Sequence, residues 1–316
     1  MATGRIVNLN AGVYQILDGN NIIEARARGK FRKMKLSKES AFNKGNNNKL
    51  SNKIDTQYVK LSPKVGDLVT YELNDGINYI TDLEPRKNDL IRPDICNVDQ
   101  IILIMSAKEP DFSSYLLDLF IVNLKSSNIK PIIIISKIDL ASEEELNKIK
   151  ETMSYYKEKL NYEVFYVNSK DLNTDLSEIK ELLKNKITVL SGQTGAGKST
   201  FINALIPGFN LATQEISDAL NRGKHTTRQI HLYQEFGGLV GDTPGFSKLE
   251  IFVEQSDLAS YFPEFKQEFC RFKDCRHLKG SKDCGVIENV GKTILKSRYD
   301  NYIKIYEKIE KDSKRY

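Results

Sequence analysis

The chain has 316 residues, 40% hydrophobic and 28% charged, with a formal net charge of +5. That balance describes a globular protein of two or three domains. The longest apolar run, IILIM at 101–105, is too short for a membrane helix, and MATGRIVNLN lacks the pattern of a secretory signal. A cytoplasmic location with no membrane partner is expected. Cys96 stands apart from three cysteines crowded into 270–284, which argues against a disulfide framework.

In chain order, residues 4–85 read as short β-branched runs (GRIVNLN, GVYQILDG, NNIIEARARG, DLVTYELNDGINYITDLE) punctuated by Asp-Gly and Asn-Asp-Gly. Several short strands without an amphipathic helix predict an OB-fold β-barrel. Between Arg26 and Lys53 there are ten Lys/Arg and one acid, Glu39, which suggests a polyanionic partner or simply a solvated loop. The polar stretch at 37–53 is expected to be a loop. From about Glu84, buried-strand runs (101–107, 131–137, 164–169, 187–192) alternate with helical ones, predicting a parallel sheet covered on both faces. RQIHLYQEFGGLVGDTPG then reads as two strands around a Gly-Gly turn, with His231 in the first. Beyond about Phe246 the chain is expected to be helical. The boundaries drawn are a β-barrel domain at 1–85, an α/β domain at 86–250 and a helical domain at 251–316.

GQTGAGKS at 192–199 satisfies G-x-x-x-x-G-K-[ST] between a strand and a helix. Gly192 and Gly197 let the backbone wrap phosphate, and the N–H groups of Gln193, Thr194, Gly195 and Ala196 form an anion nest. The helix beginning near Lys198, Ser199 and Thr200 adds its positive end. Lys198 neutralises the outer phosphates and Ser199 can ligate Mg²⁺. About forty residues on, GLVGDTPG places Asp242 for the Mg²⁺ water shell and the Gly245 N–H for the γ-phosphate.

The base is read from SKID at 136–139, after a buried strand. Asp139 can accept from guanine N1–H and N2–H₂ together, a pair adenine cannot offer. The Lys137 stem can cover one face of the base. Ser136 stands where Asn is usual, which predicts a weaker contact with N7, and Ile138 completes the loop. Taken singly, SKID could equally start a helix. NSK at 168–170 resembles a second base loop, through Ser169 and Lys170.

The base-reading pair thus precedes the phosphate loop, inverting the usual order, which a compact domain tolerates. In that order the chain resembles the circularly permuted GTPases that depend on the small ribosomal subunit, the RsgA (YjeQ) family. The resemblance also rests on EPRKNDLIRPDICNVDQ at 84–100, GKHTT at 223–227, YFPEF at 261–265 and RYDNY at 298–302. It implies an OB-fold, a permuted GTPase domain and a zinc-binding helical domain. The activity it implies is GTP hydrolysis stimulated by the small subunit late in that subunit's assembly, with rRNA as partner.

Phe246 occupies the position where many GTPases carry a water-orienting Gln, so His225 is the candidate for that task. Thr226 or Thr227 would reach Mg²⁺ and the γ-phosphate. Cys270, Cys275, His277 and Cys284 form a Cys₃His set suited to one structural zinc. Cys96 is expected to be a small buried hydrophobe. Arg26, Arg28, Lys30, Arg32, Lys33 and Lys35, with Arg271, Lys273, Arg276, Lys279 and Lys282, are candidate rRNA phosphate contacts. A monomer is expected. The competing readings are a P-loop ATPase or kinase, and a non-catalytic RNA-binding module.

Overall fold

The structure, a computed structural model, describes residues 1–28, 34–36, 57–59, 62–90, 94–171, 174–209, 230–242, 251 and 253–313, with the backbone alone at 34–36 and 57–59. The expected loop at 37–53 lies outside these residues. By compactness the chain divides into two units, Met1–Ile101 with Asp175–Leu190 and Leu205–Pro244, and Ile102–Thr174 with Ser191–Ala204 and Gly245–Tyr316.

The first unit begins with the barrel. Strands β1 (Ala2–Asn10), β2 (Val13–Asp18), β3 (Asn21–Ala27), β6 (Leu68–Asn74) and β7 (Ile77–Leu83) close in the order β1-β2-β3-β7-β6, with β3 and β7 parallel. A small hairpin, β4 (Met34–Leu36) and β5 (Gln57–Val59), falls between β3 and β6. This is the OB-like barrel expected from the strand pattern. Its centre is filled by Ile6, Ile16, Val69 and Ile80, all 0% exposed and drawn from alternate strand positions.

The segment after β7 is fastened by polar groups. Arg86 is 3% exposed and donates to both Asp67 carboxylate oxygens, at 2.7 and 2.6 Å. Cys96 lies in this cluster. It is 0% exposed, buried as expected, but its thiol donates to Asp67 Oδ1 at 3.0 Å, so it is also a hydrogen-bonded member of a charged group. Asn88 and Val98 exchange two bonds, from Asn88 Nδ2 to the Val98 carbonyl and from the Val98 N–H to Asn88 Oδ1. Arg86, Asn88 and Cys96 are therefore structural fasteners of this segment.

The α/β region carries its strands in the order β10-β9-β8 in the second unit and β11-β13-β12 in the first. Its strands are β8 (Gln100–Ser106), β9 (Lys130–Ser136), β10 (Glu163–Val167), β11 (Ile187–Gly192), β12 (Leu232–Glu235) and β13 (Gly238–Asp242). β10 runs parallel to β9 and β11 to β13, while β12 closes the edge antiparallel. Its helices are α1 (Ser114–Ser126), α2 (Glu143–Glu158), α3 (Ser177–Leu183) and α4 (Lys198–Leu205). The β12–β13 turn differs from the expected Gly-Gly. Phe236 and Gly237 carry the positive φ angles, 51° and 72°, while Gly238 begins β13. A Cβ on Gly238 would overlap the Leu183 carbonyl oxygen, so close packing fixes that glycine instead of the turn.

The C-terminal part of the second unit has two 3-10 turns, a short α5 (Gly285–Glu288) and a long α6 (Lys296–Ser313). Phe262, Phe265, Val286, Tyr302 and Ile305 pack with Leu119 and Val122 of α1 in one apolar cluster.

Candidate functional site

The second unit holds the phosphate loop and the two segments expected to read the base, 136–139 and 168–170. β11 is buried along its whole length and delivers the chain to Gly192. There φ is 150° and a Cβ would overlap the Ile104 carbonyl oxygen, so only glycine fits. Gln193 N–H donates to that carbonyl at 3.0 Å, pinning the loop's start to β8. Gly195 and Gly197 have φ of 78° and 81°, and the Phe201 N–H donates to the Gly197 carbonyl to begin α4. Thr194, Gly195, Ser199 and Thr200 are exposed and Ala196 is buried. The result is a backbone loop at a helix N-terminus, the arrangement that accepts phosphate.

Residues 136–139 meet this loop directly. Ser136 ends β9 at 1% exposure, and its hydroxyl lies 2.6 Å from the Ala196 carbonyl oxygen. Lys137 adopts a left-handed conformation, φ 53°, turning the chain into the 3-10 turn Ile138–Leu140. Its Cε lies 3.7 Å from where a Gly197 Cβ would stand, and its ammonium donates to the Glu109 carbonyl. Asp139 is exposed beyond it. Val167 pairs with Ser136, so Asn168, Ser169 and Lys170 leave the neighbouring parallel strand at the same level. The Ser169 hydroxyl is buried with no partner among the described residues, and Lys170 is exposed.

In the first unit, Asp242 ends β13 in register with Leu190 of β11. His225, Thr226, Thr227, Gly245 and Phe246 lie outside the described residues. His231 comes one residue before β12, stacked on Tyr233 with centroids 4.2 Å apart, and burial lowers its pKa.

In the second unit, the ligand atoms of Cys270, Cys275, His277 and Cys284 all lie within 4.8 Å of one another. His277 Nδ1 is 3.6 Å from Cys270 Sγ and 3.5 Å from Cys284 Sγ, and those two sulfurs are 3.7 Å apart. Tetrahedral ligands of one zinc ion are separated by roughly 3.5–3.8 Å, so this donor set fits zinc. The cluster is steadied from α6, where Tyr299 and Tyr302 donate to the carbonyls of His277 and Arg276 at 2.9 and 2.5 Å.

Residues 83–252 match the model of the RsgA GTPase family, and residues 3–38 that of the RsgA N-terminal domain. A protein of Latilactobacillus sakei named small ribosomal subunit biogenesis GTPase RsgA is 40% identical, over 96% of this chain and 94% of its own length. The chain belongs to the RsgA GTPase family. A Bacillus subtilis protein of the same name is 38% identical over the full length of both chains. Among solved structures, YloQ, described as a circularly permuted GTPase, matches with TM-score 0.75 and 34% identity over 99% of this chain and 96% of its own. YjeQ from Thermotoga maritima matches with TM-score 0.78 and 32% identity over 98% of each. Family membership makes this RsgA GTPase a GTP hydrolase with inverted motif order.

Two features of this RsgA GTPase escape sequence reasoning. YFPEF and RYDNY meet in space: Arg298 donates from Nε to Glu264 at 2.8 Å and also pairs with Asp118 of α1. Nothing in the local sequence links Asp118 to them. The loop 107–113 also approaches both segments, residues 136–139 through the Lys137–Glu109 bond and the phosphate loop through Pro110 Cδ, 3.5 Å from a would-be Gly195 Cβ. Its only sequence mark is a proline.

Proposed function

We propose that this RsgA GTPase hydrolyses GTP to GDP and phosphate in response to the small ribosomal subunit, late in that subunit's maturation. The observation that carries this reading is the direct junction of base loop and phosphate loop at Ser136 and Ala196, despite their inverted order in the chain. Asp139 would accept from guanine N1–H and N2–H₂, with Lys137 along one face and Ser169 and Lys170 beside it. Residues 192–200 would enclose the phosphates, Lys198 neutralising the outer oxygens. Ser199, Thr226 or Thr227, and Asp242 through water would hold Mg²⁺, which when bound offsets charge on the β- and γ-phosphate oxygens. The Gly245 N–H would face the γ-phosphate. His225 would orient the attacking water and accept its proton.

The role in small-subunit biogenesis is supported by the names of full-length relatives about 40% identical to this chain. An rRNA partner is supported by the charge of the Cys/His region, where Lys273, Lys279 and Lys282 are exposed. Phe269 and Phe272 are 86% and 53% exposed beside them, and such rings can stack on unpaired bases. In the barrel, Arg26 is exposed, whereas Arg28 is held by Glu72 at 2.6 Å and is a poorer phosphate contact. The side chains of Lys30, Arg32, Lys33 and Lys35 lie outside the described residues. The four-residue cluster would hold one structural zinc. The functional domains would be 1–85, 86–250 and 251–316, in a cytoplasmic monomer; no helix among the described residues is long and apolar enough to cross a membrane.

GTP turnover with and without purified small subunits tests this reading. The expected result is slow hydrolysis alone and stimulation on the order of a thousandfold. Equal rates in both conditions would overturn the subunit dependence. His225→Ala should remove most of the stimulation, and an unchanged stimulated rate would take His225 out of the mechanism.

A further inference from the structure

We infer that Ser136 is a latch between the base loop and the phosphate loop, and that it leaves guanine N7 unread. The inference rests on reading residues 136–139 as the base loop and goes on to say which edge of the base that loop recognises. An Asn side chain has two N–H donors, so it can bridge to a neighbouring carbonyl and still donate to N7. A serine hydroxyl has one proton. In this chain the Ser136 hydroxyl faces two carbonyl oxygens, Ala196 at 2.6 Å and Met105 at 3.2 Å, and donates to the nearer. N7 is an acceptor and needs a donor, and Ser136 has none left to give it.

Burial leads to the same conclusion. Ser136 is 1% exposed, so it presents no surface to a base. The exposed group of the loop is Asp139, which as a carboxylate can accept from N1–H and N2–H₂ but cannot donate to N7. Guanine is therefore recognised on its N1/N2 edge. Ser136 acts at one remove, holding the carbonyl of Ala196 and so the distance between the two loops. Because Ala196 lies inside the phosphate loop, loosening the latch weakens GDP and GTP alike and leaves the γ-phosphate chemistry in place.

The experiment compares binding of GDP and 7-deaza-GDP, in which C–H replaces N7, to the full-length protein and to Ser136→Ala and Ser136→Thr. Wild type should bind the two nucleotides within about twofold of each other. Ser136→Ala should bind both more weakly by the same factor, about three- to tenfold, as expected for one hydrogen bond. Its KM for GTP should rise while kcat stays within about twofold, and Ser136→Thr, which keeps the hydroxyl, should restore binding. A wild type that binds 7-deaza-GDP more than about fivefold more weakly than GDP would overturn the unread N7, whether or not Ser136→Ala folds. Unchanged GDP affinity in Ser136→Ala would overturn the latch. No GDP binding by wild type would overturn the base-loop reading itself, and this inference with it.

Discussion

Arg298 is 0% exposed and lies between two carboxylates, Asp118 at 0% and Glu264 at 5%. Its guanidinium also sits 4.5 Å from the Phe262 ring centroid and 5.2 Å from that of Tyr156. Three charges taken out of water are tolerable only when fully bonded. Here Asp118 additionally accepts from the Tyr156 hydroxyl at 2.6 Å and from Asn301 at 2.7 Å. Burial still pushes the Asp118 carboxyl up, because desolvation outweighs the pull of Arg298. Arg298→Met should cost about 3–5 kcal/mol, since two buried carboxylates lose their counter-ion. Adding Asp118→Asn should recover part of that loss in urea denaturation, and simple additivity of the two changes would contradict the network. YFPEF and RYDNY could be picked out as motifs in the sequence. That they share an ion cluster with Asp118 could not, because the partners are separated by 34 and 180 positions.

At the scale of elements, α2 shows local sequence deciding structure. Ser142 caps it reciprocally with Glu145, at 3.2 and 2.9 Å, and Lys108 bonds Glu145 at 2.8 Å. The Lys108 bond, ahead of those to Ser142, draws the Glu145 pKa from its ordinary 4.5 down to about 2. A depressed carboxylate stabilises the fold above its unfolded pKa and loses that contribution as pH falls through the folded value. Glu145→Gln should therefore be less stable than wild type at neutral pH, with the gap narrowing from about pH 4.5 toward 2. A gap that stays constant over that range would rule out this origin. The β12–β13 hairpin is the contrary case. Gly237 and Gly238 are indistinguishable in sequence, yet one supplies a positive φ and the other a close approach to Leu183.

At the scale of the whole molecule, the net charge of +5 matters less than its grouping. If exposed Lys and Arg contact rRNA phosphates, affinity for the small subunit should fall roughly 10³-fold between about 50 and 200 mM salt for six such contacts. Binding that is insensitive to salt would end the electrostatic reading. The Cys/His cluster makes a separate demand on the fold. Structural zinc in small modules contributes on the order of 10–16 kcal/mol, so a strong chelator should open residues 270–284 to protease while leaving the barrel intact. Unchanged proteolysis after chelation would argue that the apolar cluster with α1 suffices.

The sequence by itself determined the strand and helix periods, the phosphate loop, the Cys/His spacing and the inverted motif order, because each rests on chemistry within a few residues or on simple order along the chain. The tertiary structure alone decided which groups face one another. It turned Ser136 toward Ala196, Cys96 toward Asp67 and Arg298 toward Asp118. A hydroxyl, a thiol or a guanidinium carries the same letter whether it meets solvent, a ligand or a carbonyl across the fold, and only packing assigns its partner.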